Sequence, residues 1–157
     1  MAKQFFNASD AQGAKFAEFF VTINDRRYSM FNAKNLEATA TIDTVDVPRL
    51  GSVIKGKKAN GLEIKLTFTV YKVSEMFDEL VRTFKDTGAL PTFECQVSNY
   101  DEATGLGRST KVYKNCTLNG DVLLNMFDAD GELVEQEIEC YALDFDSAER
   151  YTEPAYM

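Results

Sequence analysis

Two stretches of the 157-residue chain come close to ligand-binding motifs whose chemistry is well defined. Residues 51–58 nearly form a phosphate-binding P-loop, but Lys58 stands where a Ser or Thr hydroxyl would bind Mg²⁺. Residues 126–137 match four positions of a calcium-binding EF-hand loop, but Met126 at the first ligand position cannot coordinate calcium. We therefore interpret the first stretch as a connection rich in Gly and Lys, and the second as a tight turn.

A row of carboxylates is the third candidate for chemistry. Glu135, Glu137 and Glu139 alternate along a predicted strand, which places like charges about 7 Å apart on one face. Glycosidases use a carboxylate pair, but sugar sites usually add exposed aromatic platforms, often Trp, and the chain has no Trp. We interpret the row as an acidic face that either meets a basic neighbour or lines a channel; the alternative is a solvated face.

The usage of His and Cys argues against a nucleophilic or metal site. The chain has no His, which removes Ser-His-Asp and Cys-His arrangements and every zinc site that needs His. Cys95, Cys116 and Cys140 are odd in number, far apart and free of a CxxC pattern. We expect reduced cysteines that pack as small hydrophobic side chains, and we predict no catalytic residue, no metal, no cofactor and no enzyme.

Charge is unevenly distributed along the chain. The formal net charge is −8, which makes generic attraction to DNA or anionic lipid unfavourable. Residues 121–157 hold 11 of the 25 acidic residues and only one of the 17 basic ones. Residues 1–13 lack the apolar core of a signal peptide, and no stretch has the length and hydropathy of a membrane span. We expect cytoplasmic synthesis and no membrane binding by the subunit.

Alternation of apolar and polar residues predicts mostly β-strands. It is clearest in residues 62–73, where the apolar side chains from Leu62 to Val70 share one face and the polar ones share the other. The other strands are predicted at residues 15–23, 28–31, 36–47, 92–98, 108–118, 122–127 and 133–143, with a four-residue turn at 24–27.

One helix interrupts this pattern, at about residues 74–87. An apolar stripe recurs there every three to four residues, Ser74 is a candidate N-cap and Gly88 a stop signal. One helix among seven or eight strands indicates a mainly β fold, an antiparallel β-sandwich or split β-barrel with the helix packed on it. We predict a single domain over residues 1–157, with a flexible N-terminal arm (1–13), a long inter-strand loop (48–61) and a loose C-terminal tail (147–157).

Several segments, taken in order, resemble the tail tube proteins of contractile phages. The likeness begins at YSMFNAKNLEA (28–38) and continues through the Gly-rich connection 49–61 and the strand 62–73. It then covers residues 77–88, FECQVSN (93–99), GRST (107–110) and YKNC (113–116). The chain most resembles tube proteins of PBSX-like defective prophages and of R-type bacteriocins of Gram-positive bacteria.

The resemblance implies a structural protein that forms hexameric rings, which stack into a hollow tube inside a contractile sheath. Expected partners are other copies of the chain, the sheath protein, and baseplate and terminator proteins at the tube ends. DNA would only pass through the lumen, and only in a true phage; the final location is the phage tail or bacteriocin particle. Two alternatives stay open: a type VI-like secretion tube or a baseplate or tube-initiator protein, and a carbohydrate-binding β-sandwich.

The tube interpretation assigns roles to three sets of residues. The long connection is expected to contact the next ring through its cationic residues, which are Arg49, Lys55, Lys57 and Lys58. The polar faces of the flanking strands are expected to line the lumen: Glu37, Thr39, Thr41, Asp43, Glu63, Lys65, Thr67 and Thr69. The acidic face of Glu135, Glu137 and Glu139 is expected to serve assembly or to line the channel, with Arg108 or Lys111 of an adjacent strand as further candidate partners.

Overall fold

The computed structural model describes residues 8–154 and residue 156. The described chain is mainly β, as predicted, with one α-helix, a short 3₁₀ helix at Ala8–Asp10 and eight strands. The elements are β1 (Ala17–Ile23), β2 (Arg26–Ser29), β3 (Ala33–Val47), β4 (Gly56–Tyr71), α1 (Met76–Thr87), β5 (Phe93–Tyr100), β6 (Arg108–Asn119), β7 (Glu135–Ala142) and β8 (Asp144–Glu149). No helix in this part of the chain combines the length and apolar character needed to cross a membrane.

All strand pairs are antiparallel, in the order β2-β1-β5-β6-β7-β4-β3, and β8 pairs with β6. β6 joins the two halves of the sheet, because its first part pairs with β5 and β8 and its last part with β7. β2 and β3 end the order without pairing with each other, so the sheet stays open, as in the predicted split barrel.

Aromatic side chains from four elements form the centre of the core. The ring of Phe68 lies 5.0 Å from that of Phe19 and 5.8 Å from that of Phe77, and the Phe77 and Phe93 rings are 6.0 Å apart. Tilted and edge-on contacts at these distances add to the stabilisation that burial provides. The inner face of β4 is covered along Ile64, Leu66, Phe68 and Val70, which confirms its predicted alternation.

The helix packs on the sheet through Met76, Phe77 and Leu80, which are buried, whereas Phe84 is half-exposed. Its first intrahelical hydrogen bond runs from the Glu79 N–H to the Glu75 carbonyl, so Glu75 and not Ser74 is the N-cap. The predicted stop is confirmed: Gly88 is left-handed, at φ 77°, and its N–H donates to the Phe84 carbonyl.

The predicted loop 48–61 is shorter than expected. Residues 56–61 belong to β4 and pair with residues 43–47 of β3, so the connection covers residues 48–55 only. The glycines suggested a loop, but the antiparallel ladder satisfies the backbone hydrogen bonds of both strands even where side chains lack cover.

The predicted strand 122–127 is absent. The Lys72 ammonium donates to the carbonyl oxygens of Leu123 and Leu124 and contacts the Asp78 carboxylate at 3.0 Å. This side chain takes the place of a partner strand for those carbonyls. The turn at 24–27 is also tighter than predicted, because Asn24 and Asp25 alone, both with positive φ, connect β1 to β2.

The two chain ends meet the loop that joins β5 to β6. The Gly13 N–H donates to the Asp101 carboxylate at 3.0 Å, and the Thr152 N–H donates to the Leu106 carbonyl at 2.7 Å. Residues 1–7 of the predicted flexible arm lie outside the described residues, as do residues 155 and 157 of the predicted tail. Residues 147–149, the start of the predicted loose tail, belong instead to β8, where Phe145 stacks on Tyr113 at 6.2 Å.

Candidate functional site

The β3–β4 hairpin extends well beyond the sheet that carries it. β7 pairs with β4 only as far as Ile64, whereas the β3–β4 ladder continues to the Val47–Gly56 pair. We call residues 41–63 the hairpin arm; its seven-residue strand 41–47 alone spans about 24 Å. Every residue of the arm is exposed except Gly56, which is half-buried, so the arm has solvent on both faces.

The arm carries apolar side chains that nothing in the described chain covers. Leu50 and Val53 at its tip are fully exposed, and Ile42, Ile54 and Leu62 each retain 59–67% of their surface. Ile42 and Leu62 are direct partners in the ladder, and the other three share the connection at the tip. Exposed apolar side chains grouped in this way mark an interaction site more often than a solvated one. The arm therefore has the composition of an interface.

The four cationic residues predicted to contact the next ring differ in their local bonds. The Arg49 guanidinium donates to the Ile54 carbonyl at 3.1 Å and to the Ser52 hydroxyl at 3.2 Å, which holds the tip in shape. Lys57 forms an ion pair with Asp46 across the ladder. Lys55 and Lys58 are exposed and form no ion pair within residues 8–154, so these two cations remain available to a neighbour.

The eight predicted lumen-lining residues share the outer face of β3 and β4. Glu37 lies opposite Thr67, Thr39 opposite Lys65, and Thr41 opposite Glu63. Asp43 and Thr69 belong to the same alternating rows, and the eight side chains range from half-buried to exposed. The core lies behind the part of this face that β4 forms from Ile64 onwards, and the rows continue without a break into the arm. The eight residues therefore form one continuous polar strip along the hairpin.

The acidic row of β7 continues this strip. β7 lies beside β4 with Glu139 opposite Thr67, Glu137 opposite Thr69 and Glu135 opposite Tyr71. The sequence presented these glutamates and the polar hairpin residues as two separate sets, and the β4–β7 pairing joins them. We call the combined outer surface of β3, β4 and β7 the polar face. It holds all six carboxylates of the two sets: Glu37, Asp43, Glu63, Glu135, Glu137 and Glu139.

Hydrogen bonds hold Glu139 in the middle of the polar face. Its carboxylate accepts from the Tyr141 hydroxyl at 2.8 Å and from the Asn119 amide at 3.2 Å, and it pairs with Lys65 at 3.3 Å. The Tyr141 bond, followed by those from Asn119 and Lys65, lowers the pKa of Glu139, because each favours the carboxylate. Glu139 in turn raises the pKa of Lys65.

The other two glutamates of the acidic row differ in whether a cation pairs with them. Glu135 forms an ion pair with Lys34 at 3.3 Å, whereas Glu137 is exposed and pairs with no cation among the described residues. Arg108, a candidate partner for this row, instead pairs with Glu18 and lies over the Tyr100 ring. Lys34 and Asn119 were not predicted as partners, because only the strand order brings them to this face. Tyr141 was also missed, although it lies two residues from Glu139 on the same strand and strand alternation alone places it on the same face.

The two near-motifs adopt the conformations of a hairpin tip and of a turn. Residues 51–58 form the tip and return strand of the arm, with Gly51 in a left-handed turn at φ 75°, and no helix follows. At the second, the Asp128 carboxylate accepts from the Asp130 N–H at 3.0 Å and the Asp128 carbonyl accepts from the Gly131 N–H at 3.1 Å. That turn is present, but it links irregular segments and not the two strands expected.

Comparison with known families and structures gives one consistent result. The family model described as phage tail tube protein matches residues 4–149. No curated protein matches the sequence. The structure resembles the sheath/tube terminator of an extracellular contractile injection system, with a TM-score of 0.60 and 17% identity over 83% of this chain and 93% of that one.

Two further solved structures share the fold. A chain of the sheath–tube complex of the same type of system gives a TM-score of 0.58 at 13% identity, covering 82% of this chain and 86% of its own. The tube-terminating cap of the anti-feeding prophage gives 0.60 at 17% identity, covering 94% and 95%.

Proposed function

The chain belongs to the phage tail tube protein family, whose model spans nearly its whole length, and we propose that it forms hexameric rings that stack into the inner tube of a contractile particle. Membership confirms the expectation of a structural protein and not an enzyme. The single observation that carries the proposal is the pairing of two surfaces on one hairpin: an uncovered apolar arm and a continuous polar face.

The arm is the proposed contact between rings. It projects about 24 Å beyond the sheet, far enough to reach an adjacent copy, and its tip presents apolar side chains beside two unpaired lysines. Burial of the arm's apolar surface on a neighbour would supply the free energy of assembly at about 25 cal/mol per Å². Lys55 and Lys58 would form ion pairs with acidic residues of the neighbouring copy, and these pairs would fix the position of one copy relative to the other.

The polar face is the proposed lining of the lumen. It lies opposite the core and carries more carboxylates than lysines, so six copies around a channel would present a negative wall. A wall of that sign does not retain phosphate groups, which suits a tube through which DNA passes in a phage. The same wall serves an R-type bacteriocin or a defective prophage tail equally well.

The remaining partners follow from this placement. The outer surface of the tube would face the sheath protein, and its two ends would meet baseplate and terminator proteins. The structural relatives named above are a chain of a sheath–tube complex and two tube terminators, which supports a place within such a particle. Family membership favours this function over a carbohydrate-binding module.

Negative-stain microscopy of the concentrated protein tests the proposal. We expect rings whose class averages show six-fold symmetry, and tubes of stacked rings at higher concentration. A protein that stays monomeric at high concentration and in low salt would contradict the proposal. Rings that never stack would point to a protein of the tube end.

A further inference from the structure

The three cysteines, which the sequence places far apart, meet in the core. Their sulfur atoms all lie within 4.8 Å of one another, and each side chain is fully buried. Each comes from a different strand: Cys95 from β5, Cys116 from β6 and Cys140 from β7. The expectation of free, buried cysteines is confirmed, but the separation in sequence concealed the cluster.

A bulge in β6 directs Cys116 into this cluster. Phe93 pairs with Cys116 and Cys95 with Tyr113, so three steps along β6 oppose two along β5. In a regular strand, residues three apart point to opposite faces, yet Tyr113 and Cys116 are both buried. The extra residue is accommodated at Asn115, which has a φ of 52°, a left-handed conformation that is uncommon outside glycine.

The third cysteine, Cys140, lies beside the same face of β6. Cys140 pairs with Leu118, which lies two residues beyond Cys116 and therefore on the same face. The bulge thus brings Cys116 next to Cys95 and Cys140, at the point where β6 changes its pairing partner from β5 to β7.

One thiol of the cluster also has a backbone partner. The Cys116 thiol itself donates to the Tyr113 carbonyl at 3.5 Å. The three buried sulfurs therefore form one compact group of soft donors.

We propose that Cys95, Cys116 and Cys140 form a three-coordinate thiolate site for a soft, thiophilic cation of the Cu(I) type. A trigonal metal with bonds of about 2.3 Å holds its sulfurs about 4.0 Å apart, so the cluster must contract by less than about 1 Å. Thiolate ligands select soft ions. Zinc is less suited because it prefers four ligands: the chain has no His, and within residues 8–154 no carboxylate joins the three sulfurs.

Binding of Cu(I) at this site would depend on pH and would change the stability of the subunit. Thiols give up protons when they bind a metal, so affinity for Cu(I) should rise with pH. Because the ligands come from three strands of the folded sheet, the bound ion should raise the unfolding temperature of the subunit. Neither effect depends on ring or tube assembly, so the site can be tested apart from the proposed function.

The test uses the full chain with a non-thiol reductant and a chromophoric Cu(I) chelator as competitor. We expect one Cu(I) per chain and an X-ray absorption spectrum that reports three sulfur neighbours at about 2.3 Å. The chain has only three cysteines, so a coordination number of three from thiolate identifies all of them. Retention of all the Cu(I) by the chelator, coordination by two sulfurs, or stronger four-coordinate binding of Zn²⁺ would overturn the proposal.

Matched variants separate the site from general effects on folding. Cys140→Ser should weaken Cu(I) binding at least tenfold and abolish the metal-induced rise in unfolding temperature. Val70→Ala, a buried change on β4, should lower the unfolding temperature but keep that rise. If Cys140→Ser binds Cu(I) as tightly as the parent, the three-sulfur site is wrong. The absorption spectrum of the unmodified chain decides the question should the serine variant not fold.

Discussion

The two halves of the β3–β4 hairpin share one backbone ladder but differ in what covers them. In the first half, Leu66, Phe68 and Val70 are almost completely buried against the core. In the second half, the hairpin arm, Leu62 follows the same alternation on the same strand, yet 59% of its surface is exposed. Strand pattern and buried position are therefore separate properties: alternation predicts the ladder, and only the surrounding elements determine whether a face is covered.

The comparison is tested most strongly by truncating one residue in each half. Phe68→Ala should lower the free energy of unfolding by about 3–5 kcal/mol, because it leaves a cavity among Phe19, Phe77 and the strand neighbours. Leu62→Ala, six residues away on the same face, should change it by less than about 0.5 kcal/mol. Urea denaturation of dilute, unassembled subunit measures both. Similar losses would mean that the arm is covered by its own chain.

The second test concerns assembly instead of folding. Replacing Leu50, Val53 and Ile54 by Ser should leave the urea midpoint of the subunit nearly unchanged, since all three side chains are exposed. The same variant should lose most of its stacked tubes in negative-stain images, because the apolar tip no longer contributes burial. Phe84→Ser, a half-exposed apolar change on the helix, is the control and should assemble normally. Tubes of normal yield from the triple variant would remove the arm from the interface.

The third test asks whether the outer faces of the two halves see the same environment. Thr67→Cys lies in the covered half and Thr41→Cys in the arm, both within the polar face. The native cysteines are buried, so in the folded protein the introduced thiol is the accessible one. After tube assembly, both should resist a bulky thiol reagent but react with a small one, because a channel excludes large molecules. Equal reaction with both reagents would place these residues outside the lumen.

Local patterns predicted much of this structure, and pairings distant in sequence account for what was missed. The alternation predicted over 62–73 and the apolar stripe with Gly88 are encoded within a few residues. The first is confirmed from Ile64 to Tyr71, and the second at Met76, Phe77, Leu80 and Gly88. Glu139 lies beside the polar strip of the hairpin only because β4 pairs with β7, and no short segment of the sequence specifies that pairing. The meeting of the three sulfurs likewise depends on the Asn115 bulge and on strand order.

Some errors have a more specific cause. The segment expected to form a strand at 122–127 has suitable residues, but Lys72, some fifty residues earlier, donates hydrogen bonds to two of its carbonyl groups, those of Leu123 and Leu124. The polar composition of 144–149 hid β8, because only one of its side chains, Phe145, packs on an aromatic partner, while Lys114 and Asp146 pair at 2.6 Å on the outside.

The smallest expected effect lies within the polar face, between Glu139 and Glu137. Glu139 has a folded-state pKa below its ordinary value of 4.5, owing first to the Tyr141 hydroxyl and then to Asn119 and Lys65. A carboxyl group with a lowered pKa stabilises the fold above its unfolded pKa, and that stabilisation is lost as pH falls through the folded-state value. The unfolding temperature of the parent should therefore exceed that of Glu139→Gln at neutral pH, and the difference should shrink below pH 4.5.

Glu137→Gln provides the matched control, because Glu137 occupies the next position in the same row but pairs with no cation in the described chain. Its unfolding temperature should follow that of the parent across the same pH range or exceed it slightly, since removing one of three like charges relieves repulsion. Exposure of Glu139 to solvent keeps its effect small, so the comparison rests on the shape of the pH curves. Parallel curves for the parent and Glu139→Gln from neutral to acid pH would show that the Tyr141, Asn119 and Lys65 contacts do not favour the charged carboxylate.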